Sequence, residues 1–169
     1  MNILAISGSA STKSSNFHLL KAIQTRLEEQ HNIAVYDSLG QFPLFTPQRL
    51  IEGIPDIVQE FKQQLLDADA VIVSTPEYTH NIPAVLKNMV EWCTNSGEFL
   101  EKKVLPITFT PHEPRGEYAM KSLLFSLVAL DAQIIAQLPI YKTDVEIREN
   151  LIILSEDIIA LLEGAIELF

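Results

Sequence analysis

Apolar residues in this chain fall into two arrangements: short dense runs, and longer stretches in which they recur every three or four positions. The dense runs stand at 2–7 (NILAIS), 33–37 (IAVYD), 70–75 (AVIVST), 103–110 (KVLPITFT) and 132–139 (AQIIAQLP). Most lack the alternation of a half-exposed strand, so they predict strands covered on both faces. Helical spacing marks 16–30, where Leu19, Leu20, Ile23 and Leu27 share one face, then 55–67, 82–95, 116–130 and a last stretch over 146–168. In that last stretch Ile147, Leu151, Leu154, Ile158, Leu161, Ala165 and Leu168 form a stripe, widened by Ile152, Ile159, Leu162 and Ile166. Packing on a sheet accounts for the stripe, and its breadth leaves room for an additional interface.

Alternation of strand and helix predicts right-handed crossovers and an α/β fold. The expected architecture is a flavodoxin-like, doubly wound, five-stranded parallel sheet in the order 2-1-3-4-5, with helices on both faces and one domain over 1–169. Ligands in such sheets sit beyond the carboxyl ends of the strands, where the winding reverses. The loops after residues 7, 75 and 110 are therefore where chemistry is expected.

Composition narrows the partners. A chain of 169 residues with 47% hydrophobic residues and 6 glycines suits one globular domain. Its net charge of -10 argues against nucleic acid or an anionic membrane as partner, so a bound anion must be held by local groups. The single cysteine, Cys93, excludes an intramolecular disulfide and fits a reducing compartment, which makes the cytoplasm the expected location. The opening MNILAISGSAS has no basic n-region and too short an apolar run for a signal sequence, and no stretch is long enough to span a bilayer. His18, His31, His80 and His112 are scattered without ligand spacing, so no metal is assigned.

The first loop, SGSASTKSSN (7–16), links strand one to a helix. A helix N-terminus leaves N–H groups unpaired and carries partial positive charge, which suits phosphate. Gly8 allows close backbone approach, Ser9, Ser11, Thr12, Ser14, Ser15 and Asn16 offer short polar groups, and Lys13 is the only charge. A capped turn that holds no ligand is the alternative, and ten residues are long for a cap alone. Spacing excludes a Walker A loop, and Ala10 and Lys13 exclude the dinucleotide fingerprint.

In the second loop Pro76 should stop the strand, leaving Glu77, Tyr78 and Thr79 as a rigid segment above the sheet. Asn81 is a plausible N-cap and Pro83 suits a first turn, followed by an apolar stripe of Val85, Leu86, Met89, Val90 and Cys93. A Pro-fixed loop with an aromatic ring beside a phosphate turn suits a flat heteroaromatic ligand. Equally, Tyr78 could simply cover the sheet edge.

Together, SGSASTKSSN and the later PEYTHNIPAVLKNMVEW (76–92) resemble the NADPH-dependent FMN reductase family, flavodoxin-like flavoenzymes that include quinone, azo-dye and chromate reductases. The family's phosphate loop reads Gly-Ser-x-Arg-x-x-Ser-x-Asn, so by resemblance Gly8, Ser9, Ser14 and Asn16 are FMN phosphate ligands. Ser11 stands at the arginine position and removes the usual phosphate cation; Lys13 offers a point charge instead of a bidentate fork. The second motif reads Pro-Glu-Tyr-Asn-x-Ser-x-Pro-Gly-x-Leu-Lys-Asn-x-x-Asp/Glu-Trp. Pro76, Glu77, Tyr78, Pro83, Leu86, Lys87, Asn88, Glu91 and Trp92 agree, while Thr79, Asn81 and Ala84 depart from it. The family's third loop is glycine-rich and lies along the isoalloxazine, whereas TFTPHEPRGEYAM (108–120) keeps only Gly116. Arg115 or His112 there would place positive charge near the flavin N1–C2=O edge, or would be solvated loop side chains.

What the resemblance implies is specific. FMN is bound noncovalently by Ser9, Ser11, Lys13, Ser14, Ser15 and Asn16 in the first loop, by Pro76, Glu77, Tyr78, Thr79 and Asn81 in the second, and by Thr110, His112 and Gly116 in the third. NADPH or NADH supplies hydride, flavin N5 carries it without a protein nucleophile, and a quinone, free flavin or other small oxidant accepts it. A homodimer or tetramer is implied, with the helix at 82–95 in the contact. The alternative is a flavodoxin-type electron carrier, whose docking on basic partners the acidic balance would suit.

Overall fold

The computed structural model describes residues 1–11 and 13–169. Thr12, one of the candidate polar groups of the first loop, lies outside the described residues. Strands β1 (Asn2–Ser7), β2 (Asn32–Tyr36), β3 (Ala70–Thr75) and β4 (Lys103–Thr110) form the expected parallel sheet. With β5 (Gln133–Ile134) the full order is β2-β1-β3-β4-β5, and β6 (Leu138–Tyr141) also pairs with β4. Ile3 stands opposite both Ile33 and Ala70, and Ala70 opposite Lys103. Every residue of β3 is buried, the apolar run Ala70–Val73 as its composition requires and Ser74 and Thr75 with it.

Successive side chains point to opposite faces, so one strand serves two cores. Leu4, Ile6, Val71, Val73 and Val104 meet α3 (Asp56–Asp67), α4 (Ala84–Trp92) and α5 (Glu117–Val128). Ile3, Ala5, Ile72, Leu105 and Ile107 meet α1 (Ser15–Leu27) and α6 (Glu156–Ile166) on the other side. Between β2 and α3 the chain makes a 3-10 turn at Leu39–Gln41 and a short α2 at Pro47–Glu52, neither of which the apolar pattern marks.

Two expectations are corrected. The fifth strand, expected unbroken over 132–139, is split into β5 (Gln133–Ile134) and β6 (Leu138–Tyr141). Val104 pairs with Ile134 and Ile107 with Leu138, so the outer strand advances by one residue more than β4, a bulge opposite Pro106, which has no N–H to offer. The helix expected over 146–168 begins only at Glu156. Before it lies an antiparallel hairpin, β7 (Val145–Arg148) and β8 (Leu151–Leu154), that pairs Ile147 with Ile152. Its turn holds Glu149 at φ 54°, and Ser155 then caps α6 by accepting the Ile158 N–H.

Cys93, directly after α4, is buried, and that burial, reinforced by the Glu98 carboxylate and opposed by Lys62, pushes its thiol from 9.0 up to about 12. The unfolded chain releases this proton at lower pH than the folded one. Its stabilising contribution is therefore complete below the ordinary thiol value and is lost as pH rises toward about 12. Tyr36, also raised to about 12 chiefly by burial, acts in the same direction. Urea unfolding followed from neutral to alkaline pH should show this decline, and Cys93→Ala should flatten it. An identical slope in the variant would refute the assignment.

Candidate functional site

The first loop joins two elements that already touch. Gly8 N–H donates to the Ser74 carbonyl at 2.8 Å, and a Cβ on Gly8 would stand 2.8 Å from Leu86 Cδ2 and 3.0 Å from that carbonyl. Only glycine allows the chain to leave β1 this close to β3 and α4. Asn16 is buried, and its Oδ1 accepts the Ser74 hydroxyl at 2.8 Å, a bond that does not use its amide Nδ2 donor.

Helix α1 starts at a serine cap: Ser14 Oγ accepts the Phe17 N–H at 3.1 Å. Ser9, which is buried, accepts the Ser11 N–H at 3.3 Å, and Ser11 accepts the Lys13 N–H at the same distance. A hydroxyl that accepts an N–H keeps its own proton to give, so these serines face outward chemistry as donors. Ser15 is half-buried in the first turn, and Lys13 is exposed. The first turn of α1 carries no carboxylate, as in α2 and α4, whereas α3, α5 and α6 each have one or two there. In a chain of net charge -10, a set made of N–H groups, hydroxyls, an amide and a lysine is suited to an anion.

A wall beside this loop comes from the segment after β2. A Cβ on Gly40 would come within 3.2 Å of the Ala10 carbonyl, so the 3-10 turn packs against the first loop. Asn88 and Trp92 hold that segment. Asn88 accepts the Phe45 N–H at 2.8 Å and donates to the Pro43 carbonyl at 3.1 Å, which also accepts from Trp92 Nε1 at 2.8 Å. The end of the second motif thus shapes a wall through residues more than forty positions away. Nothing in the helical spacing of 82–95 could have signalled these partners.

The second loop is a tight turn. Tyr78 and Asn81 exchange N–H bonds with each other's carbonyls at 2.9 and 3.0 Å, and Thr79 and His80 between them adopt φ 52° and 56°. Tyr78 is 56% exposed, so it does not cover the sheet. Pro76 is half-buried and accepts the Thr75 hydroxyl at 2.9 Å. The Glu77 side chain turns toward α5, where Oε2 accepts the N–H groups of Tyr118 and Ala119 at 3.1 and 3.2 Å. Asn81 Oδ1 accepts from Ile82 N–H and from the Ser122 hydroxyl of α5 at 2.6 Å.

In the third loop Thr110 is buried and donates to the Arg115 carbonyl at 2.7 Å. Gly116, at φ 105°, begins α5, and a Cβ there would meet Thr108 and Thr110 at 3.0–3.2 Å. His112 and Arg115 are exposed, and His112 Nδ1 lies 2.9 Å from the Glu113 carbonyl. The three loops stand in a row above β1, β3 and β4. Indentations of about 640 Å³ between α1 and β8 and of about 320 Å³ between α5 and β6 lie outside the row, the second reaching it at Gly116.

A family model described as NADPH-dependent FMN reductase matches residues 1–142. Among curated proteins the chain is similar to an NADH:(hydroxy)cinnamate reductase subunit of Vibrio ruber, 34% identical over 69% of this chain and 56% of that one. It is also similar to an NADH-dependent flavin reductase subunit of Lactobacillus johnsonii, 40% identical over 54% of this chain and 48% of that one. The matched stretch spans about half the length of these relatives. Among solved structures, a flavoenzyme NAD(P)H:(acceptor) oxidoreductase of Paracoccus denitrificans shares the fold, with a TM-score of 0.78, 20% identity and coverage of 98% of this chain and 93% of that one.

Proposed function

The chain belongs to the NADPH-dependent FMN reductase family, and from that premise we propose that it binds FMN and uses it to move hydride from NADPH or NADH to a quinone, free flavin or other small acceptor. The observation that carries this reading is the carboxylate-free start of α1 under a loop of serine donors, next to a rigid turn at the end of β3. FMN, when bound, supplies the hydride-accepting and hydride-donating centre. The protein's part is to bind and orient. First-turn N–H groups of α1, the serine hydroxyls, Asn16 Nδ2 and Lys13 would take the phosphate, with Ser11 replacing the family's arginine. The backbone of the turn at 76–81 and the end of β4 would border the ring, and the similarity to an NADH-dependent flavin reductase subunit supports a flavin as the group held there.

A homodimer suits the outward faces of α4 and α5. Phe125 is 79% exposed and Tyr118 53% exposed, and the nearby charges, Lys87 with Glu91 and Lys121 with Glu117, balance one another. That local neutrality removes the repulsion that a net charge of -10 sets elsewhere. One buried cysteine and the absence of any described helix long and apolar enough to cross a membrane are compatible with the cytoplasm. The test is to load the protein with FMN and mix it anaerobically with NADPH or NADH in a stopped-flow instrument. Rapid bleaching of the flavin band, reversed by a quinone, is expected. Stable FMN binding without bleaching would replace the reductase by an electron carrier, and no FMN binding would remove both.

A further inference from the structure

We propose that Glu77 is a positioning residue that fixes the gap between the second and third loops, and so the seat of the flavin ring. This inference rests on the FMN reading above. Its observation is a chain of contacts that runs across three elements. Thr108 and Thr110 of β4 lie so close to Gly116 that a Cβ there would meet them at 3.0–3.2 Å, which seats the start of α5 on the sheet. From that seat the N–H groups of Tyr118 and Ala119 reach Glu77 Oε2 at 3.1 and 3.2 Å. The Glu77 side chain is only 9% exposed, and its other oxygen lies 3.4 Å from His80 Nδ1. His80 packs edge-on against Tyr118 with ring centroids 4.6 Å apart, and Asn81 Oδ1 holds the Ser122 hydroxyl at 2.6 Å. The turn at 78–81 is therefore tied to α5 at both ends, and Glu77 supplies the tie that is charge-assisted and shielded from water.

The same contact decides where charge sits. The start of α5 is a positive helix end beside the cleft, and Glu77 occupies two of its free N–H groups. The start of α1, which has no acidic residue in its first turn, stays open to an anionic ligand group. A loop held in its bound shape before the ligand arrives spares the ordering cost of binding.

The test compares FMN affinity of the purified protein, measured by quenching of flavin fluorescence, in three variants. Glu77→Ala is expected to weaken FMN roughly tenfold by releasing a preorganised loop and to shift the visible absorption band of the bound flavin. Glu77→Gln, which keeps an acceptor oxygen, should recover most of the affinity and the band position. Val58→Ala, a buried position of α3, lowers stability without changing a residue of either loop and should leave both readings unchanged. Unaltered binding by Glu77→Ala, equal loss in Val58→Ala, or no recovery by Glu77→Gln would each overturn the proposal. A parent protein that fails to bind FMN at all overturns the flavin reading instead, and is recognised before any variant is made.

Discussion

Replacing Lys62 by Met is expected to cost about 3–5 kcal/mol of folding stability, because it would strand a buried carboxylate. Lys62 Nζ lies 3.2 Å from Glu98 Oε1, and the two side chains are only 8% and 5% exposed. Ser96 completes the group: its hydroxyl accepts from Lys62 and donates to Glu98 Oε2 at 2.8 Å. Each charge has given up its water for this geometry, so removing one leaves the other with a single hydroxyl. The double variant Lys62→Met/Glu98→Leu should return close to the parent, since an apolar pair fills the space without a desolvated ion and the exposed Ser96 can turn to water. Urea unfolding of the three proteins decides it. A loss under about 1 kcal/mol in the single variant would mean that the pair behaves as a solvated surface bridge. The pair ties α3 to the segment after α4, and α4 in turn supports the second loop, so its loss should also loosen that side of the cleft.

The strand order was legible because every central strand is covered on both faces, and a run such as AVIVST has few other uses. The helices α1, α3, α4 and α5 followed from their stripes, with ends shifted by at most three residues. The hairpin at 145–154 was not legible, and the reason is geometric. Ile147, Leu151 and Leu154 satisfy helical spacing, yet Ile147 also faces Ile152 across a two-stranded ribbon, and periodicity within one segment cannot register a partner across a turn. Nor does glutamate advertise a left-handed turn as glycine would, although Glu149 takes one. The start signal Ser155-Glu156-Asp157 was present, but an apolar pattern running through it concealed the restart.

For the site, sequence placed the loops and missed the wiring. The positions after β1, β3 and β4 follow from topology alone, so Ser9, Ser14, Asn16, Glu77, Tyr78 and Gly116 could be named. Which atoms they use depends on residues brought close by the crossovers: Ser74 lies 58 positions from Asn16, and Tyr118 lies 41 from Glu77. A serine and a threonine at the end of an otherwise apolar buried strand were the one available hint of Ser74. Asn88 and Trp92 sat in a helix whose apolar stripe explained it fully, so their grip on Pro43 and Phe45 left no trace in the pattern.

Ser14→Asp separates the fold from the anion site at a single atom position. Aspartate caps helices as well as serine does, so the bond to the Phe17 N–H should survive. The added carboxylate also meets a helix end that has no acidic residue in its first turn, which should leave stability unchanged or raise it by about 0.3–1 kcal/mol. For a phosphate at the same end the sign reverses. Two unit charges of like sign about 4 Å apart at an effective dielectric constant near 20 repel by about 4 kcal/mol. FMN affinity should therefore fall at least ~100-fold, allowing for part of that energy to be lost to solvent screening. Riboflavin, which lacks the phosphate, should bind parent and variant alike, and added salt should narrow the FMN gap. If both ligands weaken together, the substitution has damaged the cleft as a whole. If FMN binds as before, its phosphate lies elsewhere, and the serine loop over α1 is an ordinary cap.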